Sequence, residues 1–99
     1  MSKIENNKYD LEERTLKFSK NIISLCKQTP YNSVTKPIIS QLIRSGTSIG
    51  ANYKEARETK YWQELLAHSD EKLKDKCREI WKEAQELTLI FSTIAKNTN

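Results

Sequence analysis

The amino-acid sequence predicts an all-α fold, an antiparallel helical bundle with three helices in this chain. The 99 residues suffice for a single domain. The only two glycines and two prolines all lie between Pro30 and Gly50, so the second half of the chain holds no strong helix breaker. Apolar residues recur every three or four positions along most of the sequence, which is typical of amphipathic helices.

The composition limits the class of protein. Hydrophobic residues make up 36% of the chain and the mean hydropathy is −0.76, with no run of about 20 apolar residues that could span a membrane. The first residues, Met1–Glu5, lack the apolar core of a secretory signal. We therefore expect a cytoplasmic protein that does not interact with membranes, with a flexible tail over residues 1–8 and one helical-bundle domain over residues 9–97.

The first helix is expected over about residues 10–28. Asp10 and Glu13 have the spacing of a capping box, in which the two side chains satisfy backbone N–H groups at a helix start. Pro30 disfavours a helical conformation at the residue before it and so ends the helix. The predicted buried stripe consists of Leu11, Phe18, Ile22, Leu25 and Cys26.

The second helix is expected over about residues 34–67, with Ser33 as its N-cap and Pro37 in its first turn. Its heptad-spaced stripe is Ile39, Leu42, Gly46, Ile49, Tyr53 and Ala56. Gly46 and Gly50 within one helix suggest that a neighbouring helix approaches closely at both. A phosphate-binding loop at Gly46–Gly50 is disfavoured, because the sequence lacks the preceding strand and the lysine of a P-loop.

The apolar pattern changes phase after Ala56. The next apolar group lies about 160° around the helix from the first stripe, counting 100° per residue, and consists of Tyr61, Trp62, Leu65 and Leu66. Two interpretations remain open. Either one long helix carries two opposed apolar faces, or the helix breaks near Glu58–Thr59 with Thr59 as a new cap. We expect a nearly continuous helix, because no Gly or Pro follows Gly50.

The third helix is expected over about residues 70–96. Ser69 is a suitable N-cap, and the acidic Asp70 and Glu71 would interact favourably with the helix dipole. Its stripe is long and regular, comprising Leu73, Cys77, Ile80, Trp81, Ala84, Leu87, Phe91, Ile94 and Ala95. Cys26 and Cys77 are too far apart in sequence for a metal knuckle, and we expect both to be buried.

Three sequence blocks resemble a known family. They are Tyr9-Asp10-Leu11-Glu12-Glu13-Arg14-Thr15, Arg44-Ser45-Gly46-Thr47-Ser48-Ile49-Gly50-Ala51-Asn52-Tyr53, and Glu55-Ala56-Arg57-Glu58-Thr59-Lys60-Tyr61-Trp62 with Glu64-Leu65-Leu66. Together they resemble the four helix bundle protein family, also called the bacterial 23S rRNA intervening-sequence protein family, over residues 9–96. Glu55-Ala56 belongs to two family blocks at once. This implies that the chain has an internal deletion between the segments that correspond to the family's helix two and helix three.

The resemblance carries expectations about assembly and partners. Members of the family form four-helix bundles that can assemble into pentameric rings, and a related accessory protein of diversity-generating retroelements contacts nucleic acid. The function of most members is unknown. The resemblance therefore implies a homo-oligomer that associates with RNA or DNA, and it implies no active site.

The sequence offers no catalytic constellation. His68 is the only histidine, and no catalytic triad, HExxH motif or metal-spaced cluster is present. We therefore predict a protein that is not an enzyme, with no catalytic residues, no metal site and no cofactor.

Basic residues give the strongest functional signal. Between residues 14 and 54 there are seven of them and no acidic residue. Phosphate binding needs several cations on one surface, so the predicted nucleic-acid-binding residues are Arg14, Lys17, Lys20, Lys27, Lys36, Arg44 and Lys54. No exposed aromatic residues are expected among them for base stacking. An acidic protein partner could use the same surface, and this alternative stays open.

A helix with two opposed apolar faces cannot bury both within a three-helix monomer. The sequence therefore predicts self-association, with the second face as the oligomer interface: Tyr61, Trp62, Leu65 and Leu66. The predicted function is that of a non-enzymatic, self-assembling helical protein associated with nucleic acid as a binding or scaffold protein. The alternative is an oligomeric adaptor for an acidic protein partner.

Overall fold

A computed structural model describes residues 3–50 and 53–97. This part of the chain forms four α-helices and one short 3₁₀ helix, and it contains no β-strand. The helices are α1 (Lys3–Gln28), α2 (Thr35–Thr47), α3 (Tyr53–Ser69) and α4 (Lys74–Asn97), with the 3₁₀ turn at Glu71–Leu73. The all-α class is confirmed. The prediction of three helices was wrong, because residues 34–67 form two helices rather than one.

The four helices form an antiparallel bundle in which each helix packs against two others. α1 and α3 each contact α2 and α4. Along the α1–α2 pair, Gly46 lies beside Ile22 and Gly50 lies beside Thr15, which fixes the opposite directions of these two helices. The α1–α2 and α3–α4 connections therefore lie at one end of the bundle, and the α2–α3 connection lies at the other.

The break between α2 and α3 follows Thr47, well before the position considered in the sequence. The backbone N–H of Ser48 donates to the carbonyl of Ser45 over 3.2 Å, closing the last turn of α2. Ile49 then enters the core from the turn and is fully buried. Because Ile49 occupies a core position without being helical, the heptad spacing continues across a place where the helix ends.

Polar residues on the buried face of α3 explain why the apolar pattern indicated the wrong buried side for this helix. The buried side chains of this helix are Ala56, Thr59, Gln63 and Leu66. Thr59 is not a cap, since it lies inside α3 and its hydroxyl donates to the carbonyl of Glu55 over 2.8 Å. The alternative of a break near Glu58–Thr59 is therefore also wrong. With Thr59 and Gln63 in the core, a purely hydrophobic pattern does not identify the face that packs inward.

Gly46 lets α1 and α2 approach each other closely, which confirms the expectation for this glycine. A Cβ atom built at Gly46 would lie 2.8 Å from Cγ2 of Ile22, closer than real contacts allow. The hydroxyl of Ser19 donates to the carbonyl of Gly46 over 3.2 Å. Ile22 is fully buried at this contact, so only a residue without a side chain fits here.

The helix starts differ from the predicted caps. α1 begins at Lys3, so Asp10 lies inside the helix rather than at its start. Before α2, the cap is the side chain of Asn32 rather than that of Ser33. Its amide oxygen accepts hydrogen bonds from the N–H groups of Val34 and Thr35 over 2.9 and 3.0 Å. Before the 3₁₀ turn, the carboxylate of Asp70, rather than Ser69, accepts from the N–H of Lys72.

The stripes predicted for the first and third helices, now α1 and the segment that ends in α4, supply most of the core. Its buried apolar members are Phe18, Ile22, Leu25, Cys26, Ile38, Ile39, Leu42, Ile49, Ala56, Leu66, Leu73, Cys77, Ile80, Ala84 and Leu87. Leu11 and Phe91 are partly buried against this cluster. Three members of the predicted stripes were assigned wrongly to the core: Tyr53 is 38% exposed and Ile94 is 45% exposed, and Ala95 is exposed as well. Both cysteines are buried and free, as expected.

Candidate nucleic-acid interface

Arg14, one of the predicted phosphate-binding residues, is held by carboxylates of α4. Its Nε and Nη2 donate to the two oxygens of Glu83 over 2.9 and 2.7 Å, which forms a bidentate pair. A further bond of 3.3 Å from Nη2 reaches Glu86. This paired geometry fixes the guanidinium and neutralises its charge. Arg14 therefore joins α1 to α4, a role that its sequence position did not reveal.

Arg44 makes a similar contact between α2 and α3. Its Nη1 donates to Glu55 over 3.2 Å, its Nη2 donates to Glu58, and its Nε donates to Gln41 over 3.1 Å. The hydrogen bond to Glu58, together with the charges of both carboxylates, raises the pKa of Arg44 above its usual value. Two carboxylates next to this arginine would repel a phosphate, so Arg44 is a poor contributor to a nucleic-acid surface.

The other five predicted residues are exposed lysines: Lys17, Lys20, Lys27, Lys36 and Lys54. Within the described residues none of them forms an ion pair with a carboxylate. Their ammonium groups are therefore accessible to a ligand, unlike the guanidinium groups of the two arginines.

The lysines do not form one patch. Lys17, Lys20 and Lys27 share the outward side of α1, opposite the buried Phe18 and Ile22. Lys36 lies in the first turn of α2, at the end of the bundle to which α1 runs, so we group it with these three lysines. Lys54 lies in the first turn of α3, at the opposite end, and belongs to another surface. The candidate site is therefore the set Lys17, Lys20, Lys27 and Lys36, which we name the α1 lysine row.

The predicted oligomer interface is divided between the core and the surface. Leu66 is fully buried within the chain, so it is not available to a second copy. Trp62 and Leu65 are partly buried and pack against the core. Tyr61 is 57% exposed. Because α2 and α3 are separate helices and each packs one face into the core, no single helix has two opposed apolar faces. The reason given for self-association from the sequence therefore does not hold.

A different apolar patch lies along the α1–α2 contact. Leu16 and Ile23 are seven residues apart on α1, and so they share one side of the helix. They flank Ser19, which bonds to Gly46 of α2, and Ile43 lies one turn before Gly46. The three aliphatic side chains are 58%, 40% and 42% exposed, respectively. Sequence periodicity places Leu16 and Ile23 on the flanks of the buried stripe of α1, but it does not show that they form an exposed patch with Ile43.

The groove between α3 and α4 contains polar groups without partners. A cavity of about 220 Å³ is lined in part by Gln63, Ala67, Cys77 and Trp81. Gln63 is fully buried, and among the described residues neither its amide nitrogen nor its amide oxygen has a hydrogen-bond partner; the same holds for the buried indole N–H of Trp81. Such groups lower stability, because they lose water without gaining a partner.

The cysteines lie in the core and are poor nucleophiles. Burial raises the pKa of Cys26 from 9.0 to about 11. Burial, with a smaller electrostatic contribution from Cys26, raises the pKa of Cys77 from 9.0 to about 11. A thiol with such a pKa is almost entirely protonated at neutral pH. His68 is exposed at the end of α3. In the part of the chain that is described, no group of three His, Cys, Asp or Glu residues could hold a metal ion.

None of the described helices is both long and apolar enough to cross a membrane. Comparisons of the chain with protein-family models, with curated proteins and with solved structures found no match. The resemblance to the four helix bundle family, carried by the three sequence blocks, therefore remains a prediction.

Proposed function

We propose that this chain is a non-enzymatic, self-assembling helical protein that binds nucleic acid through the α1 lysine row. The observation that carries the proposal is the contrast between the two kinds of cation. Arg14 and Arg44 are paired with carboxylates across helix contacts. Lys17, Lys20 and Lys27 are exposed on one side of α1, without a carboxylate partner among the described residues.

Such a row suits phosphates in particular. Each lysine that neutralises a phosphate releases a bound counterion, so the affinity falls as salt is added. The ammonium groups of the row contact phosphates and do not read bases, so the row should bind any sequence equally. The expected binding is therefore weak, tolerant of sequence and strongly dependent on salt.

Self-association would strengthen this binding. The patch formed by Leu16, Ile23 and Ile43 lies beside the lysine row, and exposed apolar side chains in a group favour contact with another protein surface. Several copies would present several rows to one nucleic acid, which raises the overall affinity by avidity. Light scattering should report an assembly larger than the 11.6 kDa monomer, and Leu16→Ser with Ile23→Ser should shift it toward monomer. A monomer of the unmodified chain would contradict this part of the proposal.

Fluorescence anisotropy with labelled RNA and DNA, at about 50 mM salt, tests the nucleic-acid part. The variant Lys17→Glu with Lys20→Glu should bind several-fold more weakly, while keeping its helical circular dichroism. Lys72→Glu with Lys82→Glu is the matched control, since both lysines are exposed and the net charge changes equally. It should retain more of the affinity.

An absence of binding by the unmodified protein at this salt concentration would overturn the proposal. An equal loss in both charge-reversal variants would also contradict it, because binding would then follow net charge rather than the row. In either case an acidic protein partner of the same lysines becomes the function to test.

A further inference from the structure

The outward face of α3 alternates aromatic rings and cations. Tyr53, Arg57 and Tyr61 follow one another at intervals of four residues, so they lie on one side of the helix, about 6 Å apart along its axis. Lys54 lies on the same side of the helix, one turn before Arg57. The buried face of the helix, which includes Ala56, points the opposite way. We name these four exposed residues the α3 tyrosine face.

Both tyrosine rings are accessible, and neighbouring groups hold them in place. Tyr53 is 38% exposed and Tyr61 is 57% exposed. The guanidinium carbon of Arg57 lies 5.5 Å from the centroid of the Tyr53 ring. The Tyr61 ring meets the ring of Trp62 edge-on, with centroids 5.0 Å apart and planes at 82°. Since Trp62 packs against the core, the Tyr61 ring rests on a fixed support.

The charge of this face is positive because its acidic neighbours are engaged elsewhere. Glu55 and Glu58 bind Arg44 of α2, which draws both carboxylates toward the α2–α3 contact. Arg57 and Lys54 are exposed and form no ion pair within the described residues. Glu64 is the exposed acidic residue nearest to Tyr61 on this side of α3.

We infer that the α3 tyrosine face binds unpaired bases of a single-stranded nucleic acid, an inference that rests on the proposed function. Aromatic side chains stack on the faces of bases, and nearby cations hold the phosphates of the same strand. Arg57 serves both purposes, because its planar guanidinium can stack as well as pair with phosphate. A duplex keeps its bases stacked within the helix, so it cannot use these rings.

The face lies apart from the α1 lysine row, since α1 and α3 do not contact each other in the bundle. The two surfaces therefore make separable contributions. The lysine row attracts any phosphate backbone, whether single or double stranded. The tyrosine face adds a preference for single strands, and the chemistry is shared by RNA and DNA.

Anisotropy titrations with labelled oligouridine, oligothymidine and a duplex of equal length test the inference. The unmodified protein should bind both single strands more tightly than the duplex. Tyr53→Leu with Tyr61→Leu should weaken single-strand binding by about fivefold or more for each ring that stacks on a base, and should leave duplex binding unchanged. Tyr53→Phe with Tyr61→Phe keeps both rings and should retain the affinity.

Tyr31→Leu is the matched control. Tyr31 is 69% exposed, and it lies in the α1–α2 connection, at the opposite end of the bundle from Tyr53. This variant should bind as the unmodified protein does. Circular dichroism of every variant should show full helicity. As a second measurement on the unmodified chain, oligouridine should shift the backbone amide resonances of residues 53–61 in an NMR titration.

The outcomes separate this inference from the proposed function. If the protein binds no nucleic acid, the proposed function fails. If it binds, and Lys17→Glu with Lys20→Glu weakens binding while Tyr53→Leu with Tyr61→Leu does not, the proposed function stands and the inference about α3 is overturned. Equal affinity for duplex and single strand, or an equal loss with Tyr31→Leu, would also overturn it.

Discussion

Replacement of Gly46 by alanine tests the close packing of α1 against α2. In a helix interior, Gly→Ala normally stabilises by about 1 kcal/mol, because alanine loses less backbone entropy. Here the new Cβ would lie 2.8 and 2.9 Å from the two γ-carbons of Ile22, and 3.2 Å from its Cβ. Ile22 is fully buried and β-branched, so it cannot rotate away.

The expected magnitude follows from these two opposing effects. Adding a carbon to a packed core typically costs about 1–3 kcal/mol. Subtracting the gain in helix propensity leaves a net loss of about 0–2 kcal/mol, and we expect about 1 kcal/mol. For a domain of this size, that corresponds to a decrease in Tm of about 4–8 °C.

Gly50→Ala is the matched control. Its Cβ would lie 3.6 to 3.8 Å from atoms of Thr15, which is ordinary van der Waals contact. Gly50 does not have a positive φ, so alanine fits its backbone and should be neutral or stabilising by about 0.4–1 kcal/mol. Ile22→Leu in the Gly46→Ala background removes one γ-carbon, and should recover part of the stability.

Urea unfolding followed by circular dichroism measures the free energy of unfolding of each variant. All variants are compared at one protein concentration, since assembly would make the transition depend on concentration. Gly46→Ala should be less stable than Gly50→Ala. If Gly46→Ala were more stable than the unmodified protein, or if Gly50→Ala were destabilised as much, the assigned close approach would be wrong.

Three further predictions concern polar groups. Gln63→Leu should raise the free energy of unfolding by about 1 kcal/mol or more, because it removes a fully buried amide that has no hydrogen-bond partner within residues 3–50 and 53–97; a decrease in Tm would contradict this. A double-mutant cycle of Arg14→Gln and Glu83→Gln should give a coupling of about 0.5–1 kcal/mol, since both side chains remain partly exposed, whereas zero coupling would show that the pair does not join α1 to α4. The pKa values of Cys26 and Cys77 rise from 9.0 to about 11 on folding, so the two thiols should favour the folded state at pH values below 9 and lose this contribution as the pH rises toward 11. At pH 8, a thiol reagent should react slowly with the native protein and rapidly after unfolding. A fast reaction with the native protein would contradict the burial of both thiols.

The sequence was informative where a helix buries an uninterrupted apolar stripe. In α1, the spacing of Phe18, Ile22 and Leu25 identified the buried face, and the structure confirms it. In α4, Cys77, Ile80 and Leu87 did the same. These helices carry charged residues on the other side, so the period of the pattern has one interpretation.

The link between α2 and α3 was not predictable from periodicity. Ile49 is buried from a turn and keeps the heptad spacing, which makes the end of α2 look like helix interior. Beyond it, Thr59 and Gln63 take core positions that the pattern assigns to polar surface. Counting hydrophobic residues then selects the side of α3 that includes Tyr61, which is exposed.

The candidate site was predictable only in part, because charge pairing depends on tertiary contacts. Lys17 and Lys20 are exposed, as their positions opposite the buried stripe predict. Arg14 is 69 residues from Glu83 in the sequence, so only the packing of α1 against α4 reveals the pair. The regular spacing of Tyr53, Arg57 and Tyr61 was visible in the sequence. Whether these three residues form an exposed face depends on where α3 begins and on which side of α3 is buried.

The dependence of binding on salt shows whether the exposed lysines, and not the paired arginines, bind phosphate. The logarithm of the affinity for oligouridine is measured against the logarithm of the salt concentration. Lys17→Gln with Lys20→Gln should reduce the slope by about 1.4, because each phosphate that a lysine neutralises on a single strand contributes about 0.7. Arg14→Gln should leave the slope unchanged in protein that circular dichroism shows to be folded. A reduction by Arg14→Gln as large as that of the lysine variant, or an unchanged slope in the lysine variant, would contradict phosphate binding by the lysine row.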